Sequence, residues 1–417
     1  MYRRNLFNRL KLALEDTPVV MVTGARQTGK STLVRTLVEN DVHEARYLTL
    51  DDVTVLNAAQ RDPAGFVADL GGPIILDEVQ RAPELFPAIK AAVDRDRSPG
   101  RFLLTGSADV MALPRLSESL AGRMEVVTLW PLSHGEIVGR RERFVDVVFG
   151  KRLTALTAEL DRHEMIELVL RGGYPEVLSR SRRDRRRAWF GSYVTTILQR
   201  EVRELSGVSG LSEFPRLLKL LAARVSSLAN LAEISRAAAM PYNTLKRYIA
   251  LLEAAFLVHR VPAWSNNLGK RLVKAPKFHL VDSGLASYLV GLSELALDDP
   301  ASPFGQLLEG FVVGELGKQV AWSEVEPALY HYRTYTGHEV DIVLEAPDGG
   351  LVAIEVKAGA TIGGADMRGL ERFAELVGER FRRGILLYTG RESVAFGDRL
   401  HALPVEALWR LGAREQR

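Results

Sequence analysis

At 417 residues, with 47% hydrophobic and 26% charged residues, the chain has the balance of a folded protein of two or three domains. It contains no cysteine, which excludes disulfides, thiolate metal sites and a cysteine nucleophile. The formal net charge is only +3, too mild by itself to argue for a nucleic-acid partner. No apolar run reaches the roughly 18 residues that would read as a membrane span.

Residues 1–14 read as an amphipathic helix carrying Arg3, Arg4, Arg9 and Lys11. No apolar segment of signal-peptide length follows them, so a cytoplasmic location is the expectation. The apolar run 18–22 predicts a strand and 32–37 a helix. Between them stands Gly24-Ala25-Arg26-Gln27-Thr28-Gly29-Lys30-Ser31, followed by Thr32. This is the spacing G-x-x-x-x-G-K-[ST] in the strand–loop–helix setting that a phosphate-binding loop needs. The glycines let backbone N–H groups close around phosphates, and the helix N-terminus adds positive potential. Lys30 suits the β- and γ-phosphates of ATP, and Ser31 suits its Mg.

Further strands are predicted at 46–50, 73–76, 101–104 and 124–129, alternating with helices. That order implies a doubly wound, mostly parallel sheet with ligands at the carboxyl ends of its strands. Asp77 and Glu78 end the third strand. The pair fits a carboxylate that holds Mg and one that aims the attacking water. Thr105 or Ser107, at the next strand tip, can sense the γ-phosphate or simply form a polar turn. Arg123 is a candidate stabiliser of transition-state charge, in cis or supplied by a neighbouring subunit, or else a solvated arginine.

Beyond about residue 140 the pattern turns helical, with apolar spacing near 3.6 at 161–170, 186–205 and 213–225. Six arginines fall within 180–187, either a sequence-independent phosphate contact or one solvated helix face. Residues 228–263 read as helix, turn at Met240-Pro241, helix 242–254 and a strand at 257–262. Leu245, Ile249 and Leu252 face a core, while Asn243, Thr244, Lys246 and Arg247 face outward. That face suits DNA, although such modules also pack against proteins. A loop is expected at 298–303.

From about residue 307 the pattern is helix, three close strands, helix, strand. Asp341 on one strand and Glu355 and Lys357 on the next have the spacing D-x13-E-x-K. Period-two alternation puts Glu355 and Lys357 on one face. Two carboxylates suit Mg, and an adjacent lysine suits a phosphate's charge. Glu309 or Glu315 on the preceding helix can complete the set. The set can also be a surface ion-pair cluster.

The runs G-A-R-Q-T-G-K-S-T, I-L-D-E-V-Q, F-L-L-T-G-S-A and L-A-G-R resemble a prokaryotic AAA-type ATPase family whose members carry a C-terminal domain of unknown function. Gly172-Gly173-Tyr174-Pro175 and the segment from Lys277 to Leu285 match further stretches typical of that family. The resemblance implies an α/β P-loop NTPase core with an AAA+-like parallel sheet, then a helical and winged-helix region. Last comes an α/β domain resembling the PD-(D/E)XK nuclease fold, whose signature Asp341, Glu355 and Lys357 match. The implied divisions are 1–140, 141–210, 211–265 and 266–417. Two functions follow as expectations: a Mg-dependent ATPase acting on or with DNA, or a nucleotide switch or scaffold whose tail binds proteins without cutting. A homo-oligomer is compatible with either.

Overall fold

The computed structural model describes residues 2–40, 42–107, 120–202, 213–292 and 302–415. Helix α1 (Phe7–Asp16) leads into β1 (Val19–Thr23), whose five residues are all buried. Then come α2 (Lys30–Glu39), β2 (Arg46–Thr49), α3 (Val53–Arg61), α4 (Pro63–Ala68), β3 (Ile74–Asp77), α5 (Leu85–Arg95), β4 (Phe102–Gly106) and β5 (Met124–Thr128). The strands form a parallel sheet in the order β2-β3-β4-β1-β5. Alternation along each strand divides their apolar residues between two layers. Val19, Met21, Ile74, Leu76, Phe102 and Leu104 pack with Val67, Phe86 and Ile89 of α4 and α5. Val20, Val22, Ile75, Leu103 and Val127 pack with Leu10 of α1 and Leu33 of α2. Because β4 lies between β1 and β3, its polar tip stands between the tips that carry the phosphate loop and Asp77.

The chain continues through α6 (His134–Ile137), α7 (Phe144–Phe149), α8 (Arg162–Arg171), α9 (Pro175–Leu178), α10 (Arg183–Ile197) and α11 (Phe214–Ala222). Asp161 opens α8 through a capping box with Glu164, two orphan donors satisfied reciprocally. Helices α12 (Leu231–Ala238) and α13 (Tyr242–Ala254) are joined by a turn in which Ala239 adopts φ 54. Leu245, Ile249 and Leu252 of α13 are buried, as the periodicity predicts. Strand β6 (Val258–Val261) then pairs antiparallel with β7 (Lys277–Leu280), with α14 (Leu268–Val273) between them, and α15 (Ser283–Val290) follows. A division at residue 265 therefore falls inside this two-stranded ribbon. The expected loop at 298–303 lies outside the described residues except for its last two positions.

Helix α16 (Phe304–Val320) opens the last unit. It is followed by β8 (Ala328–Arg333), β9 (Glu339–Glu345), β10 (Leu351–Lys357), α17 (Gly364–Val377), β11 (Phe381–Tyr388), β12 (Val394–Ala395), β13 (Leu400–Pro404) and α18 (Ala407–Arg410). The sheet order is β12-β13-β11-β10-β9-β8, antiparallel from β8 to β10 and parallel from β10 through β11 to β13. Helix α17 is the crossover that the parallel β10–β11 pair requires. Its Met367, Leu370 and Phe373 cover one face of the sheet through Val343, Ala353 and Leu386. On the other face Ile342, Leu344, Ile354 and Leu387 join a core that includes Leu308 and Val312 of α16 and extends through α13, α11 and α8. The stretches after residue 140 thus share one continuous core. No helix among the described residues is long and apolar enough to cross a membrane.

Buried histidines punctuate that core. His279 on β7 is 1% exposed, and neither ring nitrogen has a hydrogen-bond partner among the described residues. Burial, then the Lys277 charge, keeps its pKa well below the usual range. The unfolded chain takes up a proton here as pH falls below 6.5, and the folded chain does not. Stability that is present above pH 6.5 is therefore lost as pH falls. His279→Phe removes this dependence. In thermal melts the stability difference should move in the variant's favour by about 1.4 kcal/mol per pH unit below the unfolded pKa. A difference that stays flat down to about pH 5 would contradict the assignment.

Candidate nucleotide-binding site

The loop 24–31 joins the carboxyl end of β1 to the first turn of α2. Gly24 has φ 148, and a Cβ built there would lie 2.2 Å from the Leu129 carbonyl oxygen. Gly29, at φ 95, is the N-cap of α2. The Lys30 ammonium folds back onto the loop and donates to the carbonyls of Gly24 and Ala25, at 2.9 Å each. The Thr28 hydroxyl also donates to the Ala25 carbonyl at 2.9 Å.

Asp77, at the tip of β3, is held by three hydroxyls. Ser31 Oγ donates to Oδ1 at 3.0 Å, Thr105 Oγ1 donates to the same oxygen, and Tyr47 Oη donates to Oδ2 at 2.6 Å. Burial and the bond to Asp77 push the Tyr47 phenol up to about 12. Arg35 donates to Tyr47 Oη at 3.0 Å, and its guanidinium lies 4.5 Å from the ring centroid. Glu78 sits in the left-handed region at φ 61, an uncommon conformation for a residue with a Cβ, and its N–H donates to Thr105 Oγ1 at 3.0 Å. Gln80 Nε2 donates both to the Glu78 carboxylate and to Ser107 Oγ, the latter at 2.9 Å. Ser107 is thus joined to Glu78 through Gln80, and Thr105 contacts Asp77 directly.

The back of the loop is also held. Arg4 donates to the carbonyls of Thr28 at 2.8 Å and Trp130 at 2.6 Å, and pairs with Glu136 at 3.2 Å. Tyr193 of α10 donates to the Arg26 carbonyl at 3.3 Å. Arg4, Tyr47, Gln80 and Tyr193 were not legible as site residues. Arg4, Tyr47 and Tyr193 act through side-chain contacts across the fold that no spacing announces, and Gln80 lies two residues after Glu78 in the run I-L-D-E-V-Q without a role of its own being readable there.

Arg123 requires a correction. It precedes β5, which runs parallel to β1 with Val19 opposite Met124, so it lies at the amino end of the sheet. Five residues of strand separate that end from the loop, roughly 16 Å at the usual rise. Its guanidinium binds Asp94 at 2.6 Å and the Ala121 carbonyl at 3.1 Å. Arg123 therefore cannot reach the phosphate loop of its own chain.

The tail's predicted metal set also differs from expectation. The β9–β10 register, with Ile342 opposite Ile354, brings Asp341 across from Glu355, and the Val356 N–H donates to Asp341 Oδ2 at 2.9 Å. Of the two candidate helix residues, Glu315 points elsewhere. It accepts from the His134 N–H at 2.8 Å and pairs with Lys318 at 2.6 Å. Glu309 does face the set, but Lys277 stands between. Lys277 Nζ lies 2.9 Å from Glu309, 2.7 Å from Glu339 and 3.8 Å from Asp341. Burial pushes Glu309 up to about 8, with Asp341 adding to the shift, and burial raises Asp341 and Glu355 as well. Burial works against the Lys277 charge, but Glu309, Asp341 and Glu339 more than offset it and raise its pKa. Glu309, Asp341 and Glu355 do not form an open ligand set. Among the described residues no group of three or more His, Asp or Glu side chains is arranged to hold a metal ion.

On α13, Asn243, Lys246 and Arg247 are exposed and Thr244 is half-buried. The arginine run is largely paired within the protein. Arg180 binds Glu176, Arg182 binds Asp184, and Arg183 and Arg186 both bind Glu167.

Residues 16–138 match the family described as AAA domain, 162–296 match a domain of unknown function designated DUF8612, and 304–408 match another, DUF4143. The uncharacterized protein Rv2008c of Mycobacterium tuberculosis is 31% identical over 415 residues, spanning 99% of this chain and 86% of that one. The uncharacterized protein Mb2031c of Mycobacterium bovis matches to the same extent. Among solved structures, the Thermotoga maritima RuvB Holliday junction branch migration motor is 20% identical. The match covers 62% of this chain and 89% of that one, with a TM-score of 0.29. AMPPCP-bound DnaA from Aquifex aeolicus is 15% identical, covering 59% and 86%, with a TM-score of 0.27. The front of the molecule is an AAA-type P-loop ATPase domain. The chain as a whole belongs to the family of the two mycobacterial proteins.

The crowding at Gly24 makes a direct test. Gly24→Ala drives a methyl into the Leu129 carbonyl at an unfavourable φ, so it should destabilise the protein by about 2 kcal/mol or more. With ATP added, the wild type is expected to melt at a higher temperature and the variant is not. A variant that melts and responds to ATP like the wild type would show that the loop tolerates the side chain.

Proposed function

We propose that the chain is a Mg-dependent ATP hydrolase whose site is built from the loop 24–32 with Asp77, Glu78 and Ser107, and that it acts with DNA. The observation that carries the reading is the Asp77 carboxylate, held within hydrogen-bond reach of Ser31 at the loop and Thr105 at the next strand tip. Ser31 and Asp77 offer the pair of hard oxygens that suits Mg, directly or through water. When bound, Mg supplies charge neutralisation at the phosphates. The backbone N–H groups of residues 24–31 cradle the phosphates, and Lys30 exchanges two carbonyl contacts for phosphate oxygens. Glu78 orients the attacking water and accepts its proton. Gln80 links Glu78 to Ser107 and fixes the carboxylate's direction. Arg123 acts at the site of a neighbouring subunit in a homo-oligomer.

Lys30→Ala should remove nucleotide binding. Glu78→Gln should keep binding, read by the melting-temperature rise with ATP, and slow turnover by about 100-fold or more. A Glu78→Gln variant that hydrolyses ATP at the wild-type rate would remove Glu78 from the reaction.

The helix-turn-helix and ribbon support DNA as the partner, through the exposed Asn243, Lys246 and Arg247. The internally paired arginine run supports a second reading, an ATP-dependent switch whose helical module packs against a protein. Affinity for duplex DNA across a salt series separates the two. The DNA reading predicts that Lys246→Ala/Arg247→Ala weakens binding at least about 10-fold and lowers the salt slope by about 2. Unchanged affinity and slope would move the contact away from α13.

A further inference from the structure

We infer that Lys277 is the resident cation of the tail's carboxylate centre, and that it keeps divalent metal out of the place where the D-x13-E-x-K spacing suggests one. The argument begins with position. Lys277 is the first residue of β7, and its backbone is fixed by pairing with Val261 on one side and a bridge to Leu228 on the other. It belongs to the ribbon after the helix-turn-helix, yet its ammonium lies in the tail sheet. The residue is 1% exposed, so it has no solvent to swing into.

The geometry fits an ammonium. Its three N–H donors face Glu339 on β9, Glu309 on α16 and, at longer range, Asp341 on β9. A divalent ion would need oxygens from these same carboxylates at about 2.0–2.6 Å. It would then sit against the Nζ already bonded to them, and two buried cations at that separation repel strongly. The remaining acid, Glu355, stands across from Asp341 in the β9–β10 register, and among the described residues no group of three or more His, Asp or Glu side chains is arranged to hold a metal ion beside the lysine. Arg333 adds a second cation on Glu339, at 3.3 Å. The ligand spacing is present, but its cation is covalently part of the chain. The centre bolts the ribbon to the tail sheet where a metal enzyme would bind its ion.

The test is a Mn(II) titration of the nucleotide-free full chain at about pH 8, followed by electron paramagnetic resonance, with thermal melts to show folding. The wild type should show no Mn(II) site that Asp341→Asn removes. Lys277→Met should gain one site per chain, bound at least about 50-fold more tightly than anything in the wild type. Lys277→Met/Asp341→Asn should lose it again. A second variant, Lys277→Met/Glu339→Gln, removes one charge of each sign, protecting the fold, and should gain the same site. An Asp341-dependent Mn(II) site in the wild type overturns the inference, and so does a folded Lys277 variant that gains none. If neither variant folds, the wild-type titration with and without Asp341→Asn decides.

Discussion

Three consecutive backbone N–H groups, those of Ser133, His134 and Gly135, each end on a different buried carboxylate. Ser133 donates to Glu136, His134 to Glu315 and Gly135 to Glu142. Buried amides need partners, and here the partners come from three places in the chain. Glu136 also accepts from the Asn5 N–H and from Arg4, and Glu142 from the Asn5 side chain. Burial, with Glu315 and Glu136 as neighbours, pushes Glu142 up to about 8. Glu315 lies on α16 and pairs with Lys318, which donates to the Leu132 carbonyl. One short helix thus holds the N-terminus, the exit of the ATPase sheet and the helix that opens the tail.

The same junction accounts for the local structure of the stretches 172–175 and 277–285. Gly173 N–H donates to the Asp282 carboxylate at 2.6 Å, and the Gly173 carbonyl accepts from Leu132 N–H at 2.8 Å. A Cβ on Gly173 would fall 2.2 Å from the Leu132 carbonyl oxygen, so no larger residue allows this approach. Asp282 also caps α15 through the Leu285 N–H. Tyr174 then donates its position to an aromatic group with Trp189 and Tyr193, and Tyr193 reaches the Arg26 carbonyl. Arg4 and Tyr193 therefore hold the phosphate loop from behind, one tied to the glutamate junction and the other to α10. The Thr28 and Arg26 carbonyls are thereby tied to the glutamate junction and to α10.

What was legible in the sequence follows from what repeats. The strands of the first sheet read as apolar runs because helices cover both faces. The loop 24–31 was legible because phosphate binding needs particular residues at fixed offsets. Leu245, Ile249 and Leu252 read as a core face because a helix repeats every 3.6 residues. Strands β12 and β13 were not read, since β12 has two residues and β13 carries no clean alternation. Arg123 sits beside a glycine in a stretch that resembles a family motif, but which end of the sheet it occupies depends on the direction of β5, which composition does not carry. Tyr47 lay inside a predicted strand with nothing to single out its hydroxyl.

Charge was the least legible property, because a sequence gives the sign of a group but not its partner. The arginine run at 180–187 looks like a surface for phosphates, yet Glu167 alone takes two of its members. Asp341 and Glu309 look like ligands in search of a cation, and the cation comes from Lys277, at a position no ligand spacing includes. Both cases have one physical cause. A buried carboxylate is costly to leave charged and alone, so the fold gives it N–H donors, a proton or a positive charge, the last from a metal or from a side chain. A spacing motif records the need for that charge. Only the three-dimensional fold determines which source meets it, and in this chain a lysine from the neighbouring ribbon does.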